Sequence, residues 1–258
     1  MGEALVITSG KGGVGKSTLA VNLAVALAGM GRKTLLIDAD TGLRSLDVLL
    51  GMENNIVYDL TDAAEGVCRL KQAVVKVQKV ENLSLIAAAQ LRDSSSVPPA
   101  RMKEIVNRLR DMFDKVIIDC PAGIGTGFRA AASAADRAVI VALDDAITVR
   151  DAERVKGLLE RFDLPTPQLV VNRVVWEKLK KDGKDAGHRL ADRLEMPLLG
   201  VIAEDRAFAA SAQKGKPVAL TPGEPGDAFR RMARRLCGEE VAIRLPKKPG
   251  LLTRLRKG

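Results

Sequence analysis

A run of glycines followed by a lysine and two hydroxyl residues is the part of this sequence best suited to chemistry. Four residues separate Gly10 from Gly15, and Lys16 and Ser17 follow directly, which gives the pattern G-x-x-x-x-G-K-S. Glycines at this spacing let backbone N–H groups point toward a phosphate, while the lysine neutralises its outer oxygens. The pattern predicts a phosphate-binding loop (P-loop) made of Gly10, Lys11, Gly12, Gly13, Val14, Gly15, Lys16, Ser17 and Thr18.

Two regular elements must hold this loop in place. Residues 4–7 form an uninterrupted apolar run, which is typical of a buried parallel strand. Beyond the loop, apolar residues from Leu19 to Leu27 continue in a pattern that predicts a helix beginning at Lys16. The N-terminus of that helix and its dipole would then face the phosphate. A glycine-rich loop without a ligand is the alternative, and the flanking strand and helix disfavour it.

Acidic residues end two further predicted strands. Asp38 and Asp40 follow the apolar run at residues 33–37, and Asp119 closes the run at residues 115–119. The carboxyl ends of parallel strands are where sheets of this kind bind ligands. We therefore predict that Asp119 helps to order Mg²⁺ and its water molecules, with an aspartate that merely ends a strand as the alternative.

A second lysine stands near the start of the loop. Lys11 would be repelled by Lys16 unless a phosphate lay between them. The stretch KGGVGKST resembles the deviant P-loop of the MinD/ParA ATPase family. In that family the first lysine reaches across a dimer interface to the partner's nucleotide. The resemblance therefore implies an ATP-dependent homodimer, and a solvated loop lysine is the alternative.

The resemblance covers essentially the whole chain and is most specific at residues 41–66. This segment is similar to MinD proteins from Gly42 through Leu60, whereas plasmid-partition relatives usually continue differently after the second aspartate. Several positions depart from the family pattern, among them the turn at residues 142–145 and Gln213, where relatives often have asparagine. Cys120 stands where serine is common, and Ala203 stands where relatives have proline.

The resemblance also implies the reaction and the residues that carry it. ATP would be hydrolysed to ADP and phosphate, and hydrolysis would release the dimer. Asp40 would position the attacking water, with Asp38 assisting near the metal and the two loop lysines neutralising phosphate charge. The implied Mg²⁺ site consists of Ser17, Asp38 and Asp119, and the implied catalytic residues are Lys11, Lys16, Asp38 and Asp40.

One amide is a candidate for reading the base. Asn172 lies in the predicted strand at residues 168–174, where relatives place a side chain that contacts adenine. An asparagine amide can both donate to and accept from the edge of adenine. A hydrogen-bonded loop asparagine without that role is the alternative. The departure at Ala203 makes the base pocket less well defined than the phosphate pocket.

The net charge of +9 is concentrated at the C-terminal end. From Phe229 onward there are ten basic and two acidic residues, so nearly the whole excess lies there. A polybasic end indicates a membrane surface or nucleic acid as the partner. If residues 251–257 form a helix, its three leucines share one face, as in the membrane-targeting helix of MinD proteins. The residues predicted to contact an anionic membrane are Leu251, Leu252, Arg254, Leu255 and Lys257. A nucleic-acid arm and a solvated tail are the alternatives.

Composition and element order define the fold class. The 258 residues are 47% hydrophobic but only 3% aromatic, which favours an aliphatic core around a parallel sheet. Alternating strands and helices, with the P-loop after the first strand, predict a single-domain, doubly wound, mostly parallel sheet with helices on both faces. We expect an ATPase domain at residues 1–245 and a membrane-targeting tail at residues 246–258.

The sequence also carries expectations about compartment. No stretch approaches the roughly 20 apolar residues of a membrane-spanning helix, and no signal peptide is recognisable. Cys68, Cys120 and Cys237 are far apart and lack metal-ligand spacing, so we expect them to be reduced and structural. We expect a cytoplasmic protein that is peripheral on the cytoplasmic face of the inner membrane when ATP is bound.

The resemblance implies a role in placing the division septum. An ATP-dependent dimerising switch of the Min system would act with a MinC-type inhibitor and a MinE-type activator. One alternative is an FlhG-like regulator of flagellar number, which shares the fold, the switch and a membrane tail. Another is a ParA-like DNA-segregation ATPase, but the leucines of the tail make DNA an unexpected partner.

Overall fold

A sheet of eight strands forms the centre of the computed structural model, which describes residues 1–40, 44–89, 97–175, 180–181 and 184–245. In the order β10-β7-β6-β1-β5-β2-β4-β3, every neighbouring pair is parallel except β3 with β4. The strands are β1 (Glu3–Thr8), β2 (Thr34–Asp38), β3 (Val75–Lys76), β4 (Leu83–Ile86), β5 (Lys115–Asp119), β6 (Arg137–Leu143), β7 (Gln168–Val174) and β10 (Leu198–Ala203). A separate antiparallel pair consists of β8 (Lys180–Lys181) and β9 (Lys184–Asp185).

Helices cover both faces of this sheet. They are α1 (Lys16–Gly29), α2 (Leu46–Leu50), α3 (Leu60–Glu65), α4 (Leu70–Ala73), α5 (Pro99–Arg110), α6 (Thr126–Ser133), α7 (Ala146–Leu159), α8 (Ala186–Leu194), α9 (Arg206–Gln213) and α10 (Glu224–Leu236). Short 3₁₀ turns lie at Glu53–Asn55, Glu160–Phe162 and Val218–Leu220. The predicted doubly wound, mostly parallel architecture is therefore confirmed.

Alternation along each strand divides the core into two layers. In β1, Ala4 and Val6 face a cluster that includes residues of α5, α6, α7 and α8. Leu5 and Ile7 face the opposite cluster, to which α1, α2 and α10 contribute. Because both faces are buried, the strands need continuous apolar runs, which is why they are recognisable in the sequence.

The strand order reverses at β1, which lies between β5 and β6. In open sheets of this type, a crevice for ligands forms at the carboxyl ends of the strands where the order reverses. The P-loop follows β1 at that point, and β2 and β5 end beside it. The topology therefore positions the loop and the strand-end aspartates at one edge.

Several boundaries differ from those predicted. The apolar spacing at residues 100–113 predicts a helix with Met112 on its apolar face. Helix α5 ends at Arg110, so Met112 lies beyond the helix and is 39% exposed. Apolar residues at helical spacing predict a basic helix at residues 229–236. Helix α10 begins earlier, at Glu224, because Pro225 in its first turn is compatible with a helix start. The short helices α2 to α4 and strand β3 lack a long periodic pattern and were not predicted.

Some predictions fall outside the described residues. They include the tail at residues 246–258 and the family-specific residues 41–43. Within the described part of the chain, no helix is both long and apolar enough to span a bilayer.

Candidate functional site

The P-loop presents an uncapped helix N-terminus. Helix α1 begins at Lys16, and no side chain caps it. The residue before it, Gly15, has φ of 101°, a left-handed conformation that an L-residue rarely adopts. Its first backbone N–H groups therefore lack partners within the helix, and an anion can accept from them.

Neighbouring segments brace the first half of the loop. The Ser9 hydroxyl donates to the Lys11 carbonyl at 2.7 Å, and the Gly123 N–H donates to the Ser9 carbonyl at 3.3 Å. Helix α7 also packs directly against the loop, because a Cβ at Gly10 would lie only 2.5 Å from Cβ of Asp151. A larger residue at position 10 would push α7 away, so the P-loop and α7 are mechanically coupled.

The strand-end aspartates meet in the core. Asp38 and Asp119 are register partners on β2 and β5, and both side chains are fully buried. Backbone N–H groups of Asp40, Ser45 and Leu46 donate to the Asp38 carboxylate at 3.1 to 3.4 Å. By contrast, neither carboxylate oxygen of Asp119 has a hydrogen-bond partner within the described residues.

Burial sets the protonation of this pair. It raises the pKa of Asp38 to about 6, although the three backbone donors favour the charged form. Burial, reinforced by the nearby charge of Asp38, raises the pKa of Asp119 to about 8. The Ser17 hydroxyl and the charge of Lys16 offset this rise in pKa only in part. The Ser17 hydroxyl lies near the Asp119 carboxylate but outside ordinary hydrogen-bond geometry. The pair therefore favours a cation that would stabilise its ionised form.

The two buried carboxylate oxygens of Asp119, which lack hydrogen-bond partners among the described residues, are suitable ligands for a divalent cation. Within the described residues, no group of three or more acidic, histidine or cysteine side chains could enclose a metal. Mg²⁺ usually takes one or two protein ligands and completes its shell with water and phosphate oxygens. The residues present fit such an ion, with Asp119 as the unsatisfied carboxylate and Ser17 beside it.

The two loop lysines occupy different environments. Lys16 is 7% exposed, and its charge acts on both Asp40 and Asp119. Lys11 is exposed, and its charge is one of the causes that lower the pKa of Asp145, of which the Thr148 N–H is the largest. Lys11 therefore points its charge toward the protein surface, whereas Lys16 neutralises the interior of the site.

Asp40 lies at the rim of the cluster. Its side chain is half-buried, and burial raises its pKa while Lys16 lowers it. Its backbone N–H donates to Asp38, which links the turn after β2 to the buried pair. The structure thus brings the P-loop, Asp38, Asp40 and Asp119 together, as predicted.

Asn172 reaches the loop from β7. Its Nδ2 donates to the Val14 carbonyl at 2.7 Å, and its Oδ1 accepts from the Arg173 N–H at 2.9 Å. A Cβ at Gly15 would lie 2.3 Å from this Nδ2, so the loop and the amide are in close contact. These contacts correspond to the hydrogen-bonded alternative, and the role of Asn172 toward adenine stays a prediction.

A cavity of about 310 Å³ adjoins the loop at this point. Its lining includes Gly15, Thr18, Asn172, Arg173, Glu204 and Phe208. Arg173 has φ of 51°, a strained conformation of the kind that clusters at functional sites. Phe208 packs edge-on against buried Phe229, with ring centroids 6.1 Å apart. Phe208 was not identified from the sequence, because only the tertiary structure brings α9 to the loop. Arg173, on β7, was not identified because its residue type gives no sign of a positive φ.

Comparison with known proteins agrees with this geometry. A ParA family model described as "NUBPL iron-transfer P-loop NTPase" matches residues 1–237. The septum site-determining protein MinD of Bacillus subtilis is 44% identical over 248 residues, which cover 95% of this chain and 92% of that protein. The corresponding protein of Helicobacter pylori is 39% identical, with coverage of 93% and 92%. The chain belongs to the MinD family.

Solved structures support the same assignment. The MinC:MinD cell division protein complex of Aquifex aeolicus matches with a TM-score of 0.87 and 38% identity, covering 95% of this chain and 100% of that one. The MinD protein of Pyrococcus horikoshii complexed with Mg-ADP matches with a TM-score of 0.81 and 28% identity, covering 92% and 96%. The predicted ATPase activity and the predicted ATP and Mg²⁺ cofactors are thereby confirmed.

The cysteines of this chain give no support to the iron transfer named in the description of the family model. Cys68, Cys120 and Cys237 are all free, and no two of them form a C-x-x-C pair. Cys120 is fully buried, and burial raises the pKa of its thiol to about 12. A thiol in that state is a poor metal ligand, so the cysteines do not favour metal transfer.

Gly15→Ala tests the strained start of α1. Alanine would pay about 1–3 kcal/mol for the left-handed backbone, and its methyl group would collide with Asn172. We expect ATP affinity, measured by calorimetric titration, to fall by about tenfold or more. Gly157→Ala is the matched control, because a Cβ there has no neighbour within 4 Å. Equal affinities in the two variants would contradict the described loop geometry.

The buried pair predicts how stability depends on pH. Folding raises the pKa of Asp119 from its ordinary 3.8 to about 8, so between these values the folded, nucleotide-free protein binds more protons than the unfolded chain. Its free energy of unfolding should therefore fall as pH rises from about 4 to 8. Asp119→Asn should flatten that slope in urea unfolding without Mg²⁺, whereas exposed Asp111→Asn should not. A slope unchanged by Asp119→Asn would show that this carboxyl is not buried in its protonated form.

Proposed function

We propose that this protein is an ATP-dependent dimerising switch that binds the membrane in its ATP state and helps to place the division septum. The proposal rests on the different environments of the two lysines of the P-loop. Lys16 is buried and its charge acts on Asp40 and Asp119, while Lys11 is exposed. One lysine is thus available for the protein's own nucleotide and the other for a partner's.

Within one subunit, the proposed binding roles follow from donors and charges. The N–H groups at the start of α1 donate hydrogen bonds to the phosphate oxygens, and Lys16 neutralises the charge of the phosphates. Bound Mg²⁺ would neutralise phosphate oxygens and order water, with Ser17 and Asp119 as the residues that hold it. Asp38 supports that site from the neighbouring strand, and Asn172 lies where the base would enter the cavity.

Asp40 is the proposed residue for the attacking water. Its carboxylate is half-buried, and Lys16 helps to keep it charged. A carboxylate in this position can orient a water molecule and accept its proton while contributing little to ground-state affinity. Hydrolysis would remove the charge that holds two subunits together and would release the dimer.

The membrane step is assigned to residues 246–258, beyond the ATPase domain at residues 1–245. A fully buried leucine contributes roughly 1.5–3 kcal/mol, and each basic residue near an anionic leaflet about 1 kcal/mol. Three partly buried leucines and a few basic residues give one tail a marginal affinity after its ordering cost. Two tails on one dimer bind far more tightly, so dimerisation is read out as attachment to the cytoplasmic face of the inner membrane.

The related proteins indicate which partner proteins this chain would bind. The Aquifex aeolicus relative was solved as a MinC:MinD complex. We assign a MinC-type inhibitor to the ATP dimer of this chain, and a MinE-type activator to the step that accelerates hydrolysis. Because α7 packs against Gly10, a partner that contacts α7 would be placed to sense the nucleotide.

Lys11→Ala should leave ATP binding largely intact, because Lys16 and the loop N–H groups remain. It should abolish ATP-driven dimerisation, since the partner's phosphates lose their cross-subunit charge. Light scattering with ATP measures the change, and exposed Lys103→Ala, which lies on α5, is the matched control. ATP-dependent dimers that persist in Lys11→Ala would refute the proposed role.

Leu252→Glu tests the tail while keeping every basic residue. A charge on the predicted apolar face should abolish ATP-dependent sedimentation with anionic liposomes but leave ATP binding and dimerisation unchanged. The comparison variant is Arg254→Ala with Lys257→Ala, which keeps the leucines and should have a milder effect. The opposite ranking would make the tail an electrostatic arm, and ATP-dependent DNA binding that survives removal of residues 247–258 would favour a segregation ATPase.

A further inference from the structure

One guanidinium makes three hydrogen bonds at the segment that leads out of α10. Arg235, in the last turn of that helix, donates from Nε to the Val241 carbonyl at 2.7 Å and from Nη2 to the Ala242 carbonyl at 2.7 Å. Its Nη1 donates to the Leu199 carbonyl at 2.6 Å. One planar side chain therefore ties the chain after α10 to strand β10.

The Leu199 carbonyl on β10 can accept from Arg235 because of its position in the sheet. Among the described strands, β10 is at the edge of the sheet and pairs only with β7. The register of that pair shifts between Leu198 and Gly200, so Leu199 lies at an irregularity of the ladder. An edge carbonyl at such a shift lacks a strand partner and must be satisfied otherwise. Arg235 satisfies it.

Further contacts fix the path of the segment that follows α10. The Leu236 carbonyl accepts from Arg137 at the start of β6, at 3.4 Å. Helix α10 packs on the α1 side of the sheet, whereas Leu245 packs against the cluster on the opposite side. Residues 237–245 therefore pass around the amino ends of the strands. The last described residue leaves the fold at the edge opposite the nucleotide site.

We propose that Arg235 is a positioning residue for membrane attachment, because it determines where the tail at residues 246–258 leaves the ATPase domain. This inference rests on the proposed membrane function and adds a residue outside the tail to it. Its basis is geometric, since the guanidinium makes three bonds in one plane to three carbonyls. A lysine would keep the charge but could not reproduce that pattern.

The expected size of the effect follows from chain length. With the segment tied down, residues 246–250 separate Leu245 from the first leucine of the tail, which is five residues. If residues 239–245 were also released, twelve residues would lie between Gly238 and that leucine. Effective concentration falls roughly as the −3/2 power of linker length, so binding by two tails should weaken by about fourfold.

The test uses the full chain with ATP and vesicles of phosphatidylcholine mixed with phosphatidylglycerol. Arg235→Ala and Arg235→Lys should each lower the vesicle affinity of the dimer about fourfold, with unchanged dimerisation and ATPase activity. Arg234→Ala is the matched control. It removes the same charge from the same helix and only an exposed ion pair to Glu239, so its affinity should change less than about twofold.

A second readout follows the segment in solution, without membrane. Trypsin cleavage after Arg244, detected by mass spectrometry, requires residues 239–245 to open locally. Cleavage should be several-fold faster in both Arg235 variants than in wild type or Arg234→Ala. Arg235→Lys keeps the test valid if the alanine variant does not fold.

The outcomes separate the two hypotheses. If wild type binds vesicles with ATP and Arg235→Lys binds equally well, the positioning role of Arg235 is wrong and the membrane function stands. If wild type itself fails to bind vesicles, the proposed membrane function is wrong, and the inference falls with it. Weaker binding by both Arg235 variants but not by Arg234→Ala would establish the positioning role.

Discussion

Two buried carboxylates, Asp38 and Asp119, end the adjacent strands β2 and β5. Two negative charges so close together in a protein interior are unfavourable unless hydrogen bonds, protons or a cation compensate them. Three backbone N–H groups solvate Asp38, whereas Asp119 has no hydrogen-bond partner among the described residues. An unpaired buried charge is costly, so the nucleotide-free fold retains a proton at Asp119 near neutral pH, whereas Asp38, with its three backbone donors, loses its proton above about pH 6. The site becomes favourably charged only when a cation and phosphate arrive. Ligand binding and the state of the core are thus linked through Asp119 and Lys16.

Backbone contacts make that linkage local and stiff. The Ala39 N–H donates to the Asp119 carbonyl, and the Cys120 N–H donates to the Ile7 carbonyl, so the loops after β1, β2 and β5 are joined. Gly10 then packs against Asp151 on α7. A change at the phosphates has a continuous path to the surface helix. At the opposite edge of the sheet, Arg235 holds the segment that precedes residues 246–258, to which we assign the proposed membrane step.

Much of this organisation could be predicted from the sequence, because its causes are local. Strand β1 needs a continuous apolar run, and a P-loop needs glycines at set spacing before a helix. The bounds of β5 and β7 match those predicted. The tertiary fold decides where the weaker elements lie, so α2 to α4, β3 and the end of α5 could not be predicted. The tail and residues 41–43 stay predictions, since they fall outside the described residues.

The sequence by itself determined the fold class, the phosphate loop and the identity of the acidic residues at the strand ends, because each depends on residues that are near neighbours in the chain. Only the tertiary structure decided which groups meet across long separations. It placed Asn172 against Val14 and Phe208 beside the loop, and it set the protonation of Asp119 through burial. It also brought Arg235 to the Leu199 carbonyl. Such contacts depend on strand order and helix packing, which no short stretch of sequence contains.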